Sequence, residues 1–521
     1  MSQVENLITQ HLDIWTQGTE AKSTAGRGTR GKINLLGIQK LRELILEMAV
    51  RGLLVPQELN DEPASELLKK IAAEKAQLIK DGKIKKTKPL PEITDDEKPF
   101  ELPKGWAWVR LPDIYYTISP SGKKLKASDI LESGKFPVVD QGQNFISGYF
   151  DDESLLIKNP SCVVVFGDHT TNLKLIDFDF IAGADGTKIL CPIVIDCEYF
   201  YRFLTGLKLE DRGYGRHFKI LNDNLIAIPP LEEQKFIVAK VDELMALCDA
   251  LETQTLDSIA THQTLVETLL GNLVNPDNSA DSHQAWCLIE QHFDVLFTTE
   301  HSIDTLKQTI LQLAFDGRLV KWDKYSSDVI KNCLDFGPRN GFSPPEVQED
   351  TGVFVLKLGA TSYGVFNPAE VKNVKVCIDE DSHLWVQKGD ILVQRGNSKD
   401  FVGSNLLIEK DIEGTIYPDL MMKLRTSERV IPEYLSLSLS SIASRQYMWD
   451  RMTGTSGTMP KISKKIVENV PINVPIIFDQ NKTVSKIREL FYLCDQLKNQ
   501  LQAAQTTQCH LALSIAQMAL D

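Results

Sequence analysis

The sequence predicts an α+β protein: two globular bodies of mixed strands and helices, separated by two long helices of coiled-coil character and preceded by a helical N-terminal segment. Three observations carry that prediction. A helical block at 38–55, IQKLRELILEMAVRGLLV, returns 265 positions later as IDTLKQTILQLAFDGRLV at 303–320. A second block, IPPLEEQKFIVAKVDELMALCDAL at 228–251, returns 246 positions later as VPIIFDQNKTVSKIRELFYLCDQL at 474–497. The stretches they enclose, 101–227 and 323–473, carry short apolar strand segments but little likeness to each other.

In the first block Leu41, Ile45, Leu46, Ala49, Gly52, Leu54 and Val55 match Leu306, Ile310, Leu311, Ala314, Gly317, Leu319 and Val320, so each copy reads as a helix closed by a glycine. In the second block Pro229, Gln234, Lys240, Glu243, Leu247, Cys248, Asp249 and Leu251 match Pro475, Gln480, Lys486, Glu489, Leu493, Cys494, Asp495 and Leu497. Each copy here is an extended, proline-ended segment followed by a long helix. The enclosed material is 19 residues shorter in the second half (265 against 246), so the frame is repeated and the inserts are not. This implies a duplicated scaffold holding two differently specialised heads.

The long helices carry a heptad seam. Val241, Leu244, Cys248, Leu251, Thr255 and Ser258 step by three and four, as do Ile487, Leu490, Cys494, Leu497, Leu501 and Ala504. A run of about 40 residues rising ~1.5 Å each makes a rod of roughly 60 Å. Upstream, ASELLKKIAAEKAQLIKDG at 64–82 reads as a further helix stopped by Gly82, and a proline-punctuated linker leads to a first head beginning near Trp106. The expected organisation is an N-terminal helical region and linker over 1–100, a head over 101–230, a central helical region over 231–322, a second head over 323–475 and a C-terminal helix over 476–521.

Composition narrows the class. The net charge of −14 over 521 residues excludes a protein coated in basic surface, so any phosphate-binding site is local. The lysine runs Lys80, Lys83, Lys85, Lys86, Lys88 and Lys123, Lys124, Lys126 read as solvated surface taken alone. No apolar run approaches a membrane span, and the start MSQVENLITQHLDIW reads as an acidic amphipathic helix rather than a signal peptide, which together predict a cytoplasmic protein. The nine cysteines form no CxxC pair and are expected to be free, buried thiols.

Catalytic signatures are missing. The Pro-Pro pairs Ile228-Pro229-Pro230-Leu231 and Ser343-Pro344-Pro345-Glu346 do not fit the Asn/Asp-Pro-Pro-aromatic motif that holds a flipped adenine. AGRGTRGKI at 25–33 places Gly26, Gly31 and Lys32 as in a phosphate loop, but Ile33 stands where a hydroxyl residue is required and no strand precedes it. The histidines lack metal-ligand spacing. No catalytic residue and no metal ligand is assigned.

DEPASELLKKIAAEKAQLIKDGKIKKTKPLP at 61–91, LPKGWAWVRL at 102–111 and IPPLEEQKFIVAKVDELMALCDALE at 228–252 closely resemble, in this order, the specificity subunits of Type I restriction-modification systems. In the second insert GDILVQRGNSKDFVGSNLLI at 389–408 and TGTSGTMPKISKKIVENVPINVP at 453–475 are similar to second-domain segments of that family. The resemblance implies two target recognition domains, each reading one half of a bipartite double-stranded DNA site and held apart by an antiparallel helix pair. It further implies two modification subunits that methylate adenine with S-adenosylmethionine, and restriction subunits that use ATP and Mg; this chain itself binds no cofactor. A different class remains as an alternative: a coiled-coil assembly scaffold whose heads bind protein.

In the DNA-reading setting the polar loops of the heads become candidates. Arg395 and Asn397, with Ser398 and Lys399 beside them, sit at a glycine turn after a strand, where Arg suits guanine or phosphate and Asn suits adenine. Thr453, Thr455, Ser456, Thr458 and Lys461 form a hydroxyl-rich loop before a strand entry at Ile462-Ser463-Lys464-Lys465, suited to phosphate contacts. In the first head Arg212, Tyr214, Arg216, His217 and Lys219 occupy the equivalent place. Gln141, Gln143 and Asn144 lie in one polar loop and His169, Thr170, Thr171, Asn172 and Lys174 in another, and Lys123, Lys124 and Lys126 complete the set. The same polar residues also fill ordinary turns.

Overall fold

The computed structural model describes residues 3–21, 33–58, 61–86, 89–118, 125–183, 186–207, 209, 213, 215–274, 279–362, 364–454 and 459–520. It divides into two compact units, Met1–Asp257 with Ala504–Asp521, and Ser258–Ala503.

The first unit opens with helices α1 (Gln3–Gln10) and α2 (Leu12–Gln17), a two-stranded pair β1 (Glu20–Ala21) with β2 (Ile33–Asn34), and helix α3 (Leu36–Arg51). Trp15 is fully buried against them. Gly37 is required here, because a Cβ on it would lie 2.3 Å from the Trp15 carbonyl oxygen. The far end of the C-terminal helix belongs to the same unit: Cys509 Sγ donates to Thr19 O at 3.7 Å and Arg51 Nη1 to Leu520 O at 3.0 Å. Helix α4 (Ala64–Lys80) follows and ends before Gly82, as expected.

The first head contains strands β3 (Ala107–Arg110), β4 (Tyr115–Ile118), β5 (Phe136–Val139), β6 (Gly148–Phe150), β7 (Leu156–Ile157), β8 (Val163–Gly167), β9 (Leu173–Ile176), β10 (Phe180–Ala182) and β11 (Thr187–Pro192). Helices α5 (Cys197–Gly206) and α6 (Phe218–Asn222), then β12 (Leu225–Ile228), complete it and lead into the long helix α7 (Leu231–Val274). The strands make two four-stranded sheets, ordered β4-β11-β8-β9 and β6-β5-β10-β7, while β12 pairs antiparallel with β3 to close the head at its neck. Strand β8 is VVVFG and buried along its whole length; a short unbroken apolar run is what a central strand requires.

The second unit holds the remainder of α7, helices α8 (Ser279–Gln291), α9 (Phe293–Leu296) and α10 (Glu300–Phe315), and the second head. Its strands are β13 (Tyr325–Val329), β14 (Leu334–Asn340), β15 (Phe354–Leu356), β16 (Val371–Asn373), β17 (Ile391–Gln394), β18 (Asn405–Leu407), β19 (Thr415–Ile416) and β20 (Met421–Thr426). Helices α11 (Pro432–Ser440), α12 (Ile442–Trp449) and α13 (Lys464–Glu468), strand β21 (Pro471–Pro475) and the long helix α14 (Ile477–Met518) follow.

The two heads share a common topology despite their dissimilar sequences, with one strand fewer in the smaller sheet of the second head, β16-β15-β19. Order β14-β20-β17-β18 reproduces β4-β11-β8-β9, the neck pair β13 with β21 reproduces β3 with β12, and the parallel pairing of β19 with β15 reproduces that of β10 with β5. What repeats is the alternation of buried apolar positions, which many sequences satisfy; what differs is the loops.

The frame repeats at its fasteners, although the two tryptophans find different partners. Gly52 and Gly317 both close their helices at φ +70, and at each a tryptophan ring lies 2.9 Å from where a Cβ would stand, Trp106 and Trp322 respectively. Trp106 Nε1 donates to Glu233 at 3.0 Å; Trp322 Nε1 donates to Thr483 Oγ1 at 3.0 Å. Gln234 and Gln480, both fully buried, donate to Pro229 O and Pro475 O at 3.1 and 2.8 Å and accept the backbone N–H of Asp196 and Ile431 at 2.9 and 3.0 Å. Each amide thus staples a head to the first turn of its long helix.

Three sequence expectations change. The seam is not a bare two-helix coil: in the second unit Val266, Leu270 and Leu273 of α7 share one core with Ile303 and Ile310 of α10 and Leu490, Cys494, Leu497 and Leu501 of α14. There α10 runs antiparallel to α14, since Lys307 pairs with Asp495 and Lys498 with Asp304. In the first unit Val241, Leu244 and Cys248 are buried, Leu251 is half-buried, and Arg42 of α3 pairs with Asp249 and Glu252 at 2.5 and 2.6 Å. The cysteines are not all free and buried: Cys162 and Cys197 form a disulfide, joining the segment before β8 to the start of α5, and Cys287 and Cys377 are exposed. Finally, Ile462-Ser463-Lys464-Lys465 enters a helix, not a strand, because the Ser463 side chain caps α13 by accepting from Ile466 N. Among the described residues no helix is long and apolar enough to cross a membrane.

Candidate nucleic-acid interface

The central strand β8 delivers the turn 168–172, and this turn is bolted to the loop that follows β5. Thr170 Oγ1 and Asn172 Nδ2 both donate to Gln141 O, at 2.6 and 3.0 Å, and His169 N donates to Gln141 Oε1 at 3.2 Å. Asp140 holds the other side of that loop, accepting Gly142 N at 2.8 Å and Ser147 Oγ at 2.5 Å. A third segment joins them: His169 Nδ1 lies 3.3 Å from Gly215 O, His217 N donates to Asp168 O at 2.8 Å, and Phe218 N donates to the Asp168 carboxylate at 2.9 Å. Three loops remote in sequence, 140–147, 168–174 and 215–217, are therefore one cluster.

Thr171 in this cluster has φ +56, a left-handed conformation that a β-branched residue resists. Its backbone N–H donates to Gly167 O at 2.9 Å and holds it there. Strain of this kind persists where neighbouring contacts over-determine a loop, as they do here.

Lys174 and His217 are corrected by the structure. Both are buried, so neither faces outward as a contact side chain. Lys174 Nζ donates to Asn144 O at 2.5 Å and stands 3.6 Å from Asp140, and burial pulls its ammonium below the usual lysine range. It braces the loop from beneath. Gln143, Asn144, Thr170, Thr171, Arg216 and Lys219 are the exposed members, with Gln141, His169 and Asn172 half-buried. A cleft of about 610 Å³ opens beside them, lined by Ile130, Asp140, Gly142, Gln143, Asn144 and Ser147. Lys126, exposed, directly precedes Ala127 on the cleft wall.

The second head builds the same cluster from different residues. Strand β17, buried throughout, ends in Gln394, whose amide nitrogen donates to Leu358 O at 2.9 Å and to Thr361 Oγ1 and Ser362 Oγ at 3.0 Å each. Its oxygen accepts Asn397 Nδ2 at 2.7 Å, and the Asn397 oxygen accepts Ser398 N at 2.7 Å. Lys461 is joined to this turn through a backbone bridge to Gly396 and exchanges two 2.9 Å bonds with Thr453. Ser398, Lys399, Thr453 and Lys461 are exposed, Arg395 and Asn397 half-buried. Lys123, Lys124, Arg212, Tyr214, Thr455, Ser456 and Thr458 lie outside the described residues.

Sequence reasoning missed two groups. The brace Asp140 and the carboxylate Asp168 look like ordinary loop acids, and only the donors and lysines that converge on them distinguish them. Arg445, which donates to Ser404 Oγ at 3.0 Å and Asp400 O at 2.6 Å, secures the 398–404 turn from α12, 41 residues downstream of Ser404.

The family model for the Type I restriction modification DNA specificity domain matches residues 103–261, which spans the first head and the start of α7. Over 99% of its length the chain is 36% identical to the EcoEI specificity subunit of Escherichia coli, covering 100% of that relative. It is 33% identical to the EcoAI specificity subunit of the same organism, with 99% and 100% coverage. A solved chain of a type I R-M system aligns with 81% of this chain and 99% of its own length, at 18% identity and a TM-score of 0.47. Full-length identity at this level, together with the duplicated frame, places the chain: it belongs to the specificity subunits of Type I restriction enzymes.

Proposed function

We propose that this chain is the non-catalytic DNA-reading subunit of its complex, each head reading one half of a bipartite duplex site and the long helices setting the spacer between them. The observation that carries this reading is the recurrence of one three-loop cluster at the same topological place in two heads whose loop sequences differ. Repetition of the place explains a common mode of approach to DNA; divergence of the side chains explains two different half-sites.

The division of labour follows from side-chain chemistry. Gln143, Asn144 and Asn397 carry the paired donor and acceptor that suit adenine, and Arg395 the fork that suits guanine or phosphate. Lys126, Arg216, Lys219, Lys399, Thr453 and Lys461 are suited to the backbone, fixing register without reading sequence. With the chain at −14 overall, these local patches supply the cationic contact. Adenine methylation with S-adenosylmethionine is assigned to two modification subunits, and ATP- and Mg-dependent translocation and cleavage to restriction subunits, all acting in the cytoplasm.

The test is reconstitution. The chain with its modification subunits is expected to protect and methylate a bipartite site in a salt-dependent manner, while the isolated chain transfers no methyl group. Sequence-specific methylation by the isolated chain would refute the assignment, and absence of any DNA protection by the complex would favour a protein-binding scaffold.

A further inference from the structure

In the second head Gln394 ties a further turn to the 395–399 loop. The turn after β15 is the topological counterpart of the loop 140–147 after β5, since β15 and β5 hold the same place in matching sheets. Its described residues, 358–362 and 364–367, carry no charged side chain and a single amide, Asn367. It is nonetheless built as tightly: Lys357 N donates to Glu370 O at 2.8 Å, Asn367 N to Ala360 O at 3.2 Å, and buried Gln394 ties Leu358, Thr361 and Ser362 to the Asn397 turn.

Resting on the DNA-reading assignment above, we infer that this turn is the third element of the second head's reading face, with Val365 contacting a thymine methyl group and Gln394 positioning the turn. Val365 is 75% exposed, a high value for a β-branched apolar residue, and it sits on the turn that Gln394 ties down at Leu358, Thr361 and Ser362. Gly364 before it has φ +72 with nothing within 4 Å of its Cβ position, so the backbone is turned outward into open space at this point. Hydrophobic burial gives no reason to hold a valine there. A thymine C5-methyl in the major groove is an apolar partner that such a side chain recognises, and it completes the polar edges read by Arg395 and Asn397.

The methyl group can be deleted from the DNA as well as from the protein. The complex of this chain with its modification subunits is assayed on its own target with each thymine replaced singly by uracil. Wild type is expected to lose roughly four-fold in methylation rate at one thymine, in one half-site only, in line with the loss of one buried methyl contact. Val365→Ala is expected to be slow on the thymine site and indifferent to uracil at that position, whereas Val365→Thr, which keeps a methyl group, retains the uracil effect. Gln394→Leu is expected to weaken discrimination at that same base pair and at its neighbours in that half-site. An identical uracil profile for wild type and Val365→Ala, or no sensitive thymine at all, overturns the inference while leaving a bipartite target intact. Loss of the bipartite target itself would instead refute the underlying assignment.

Discussion

Tyr199 donates its hydroxyl to the carbonyl oxygen of Ala227 at 2.8 Å, and 246 positions beyond Ala227 the carbonyl of Asn473 accepts the hydroxyl of Tyr434 at the same distance. Both rings are buried, and both bonds tie the helix that follows a head's last central strand to the neck strand that leads into a long helix. The neck is thus fixed identically in two heads that share almost no loop residues. Tyr199→Phe leaves a buried carbonyl without its partner, a loss of about 1–3 kcal/mol. Amide hydrogen exchange at residues 225–228 is expected to accelerate roughly ten-fold or more, with the second neck unaffected; unchanged exchange would show that the bond does not hold the strand.

Glu233 supplies a pH test of the first neck. It is buried, receives Trp106 Nε1 and Gln57 Nε2, and burial pushes its carboxyl from 4.5 up to about 7 despite the Trp106 bond. Between those values the folded chain keeps a proton that the unfolded chain has released. Stability is therefore greatest below about pH 4.5 as far as this group is concerned, and declines as pH rises toward 7, by up to about 1.4 kcal/mol per unit. Glu233→Gln, which accepts from Trp106 without a charge, is expected to remove that slope from the pH dependence of unfolding. An unaltered slope would place the titrating group elsewhere.

Lys174 tests whether a loop is read or merely present. Lys174→Met keeps the buried stem but frees Asn144 O and leaves Asp140 without its cation, at a cost of about 1–3 kcal/mol. The loop carrying Gln143 and Asn144 then loses its floor. Sequencing of methylated sites is expected to show relaxed base preference in one half of the target and full preference in the other, with methylation retained.

Thr171 stores strain at the tip of the same cluster. Thr171→Gly relieves the left-handed backbone and, net of glycine's extra freedom in the unfolded chain, is expected to stabilise the head by up to about 1 kcal/mol. Weaker DNA discrimination is expected alongside, because the turn is no longer confined. A destabilised variant by denaturant unfolding would contradict the reading of that turn as strained.

The frame was legible in the sequence because its fasteners are chemically specific. Gly52 and Gly317 need a left-handed backbone, and Gln234 and Gln480 need both ends of an amide, so the same residues recur at fixed spacing. The common topology of the heads was not legible, since VVVFG in β8 and ILVQ in β17 satisfy one buried strand with no shared pattern beyond apolarity. The loop clusters were half legible. Polar residues announced 140–144, 168–174 and 395–399, but not that Lys174 and His217 point inward, which depends on partners 30 and 49 residues distant. The turn holding Val365 gave no signal, because its importance lies in its place in the sheet and in Gln394, not in its own composition. The Cys162–Cys197 pair, 35 residues apart, likewise exists only once β8 and α5 are packed.

In the proposed function the two heads read two half-sites independently, through equivalent loop clusters. The most direct measurement is the consensus of adenine-methylated sites produced by the reconstituted complex, compared between Gln143→Ala with Asn144→Ala in the first head and Asn397→Ala with Lys461→Ala in the second. Each pair is predicted to degrade the consensus on its own side of an unchanged spacer and to leave the opposite half intact. A consensus that degrades on both sides together, or on neither, would rule out independent reading by the two heads.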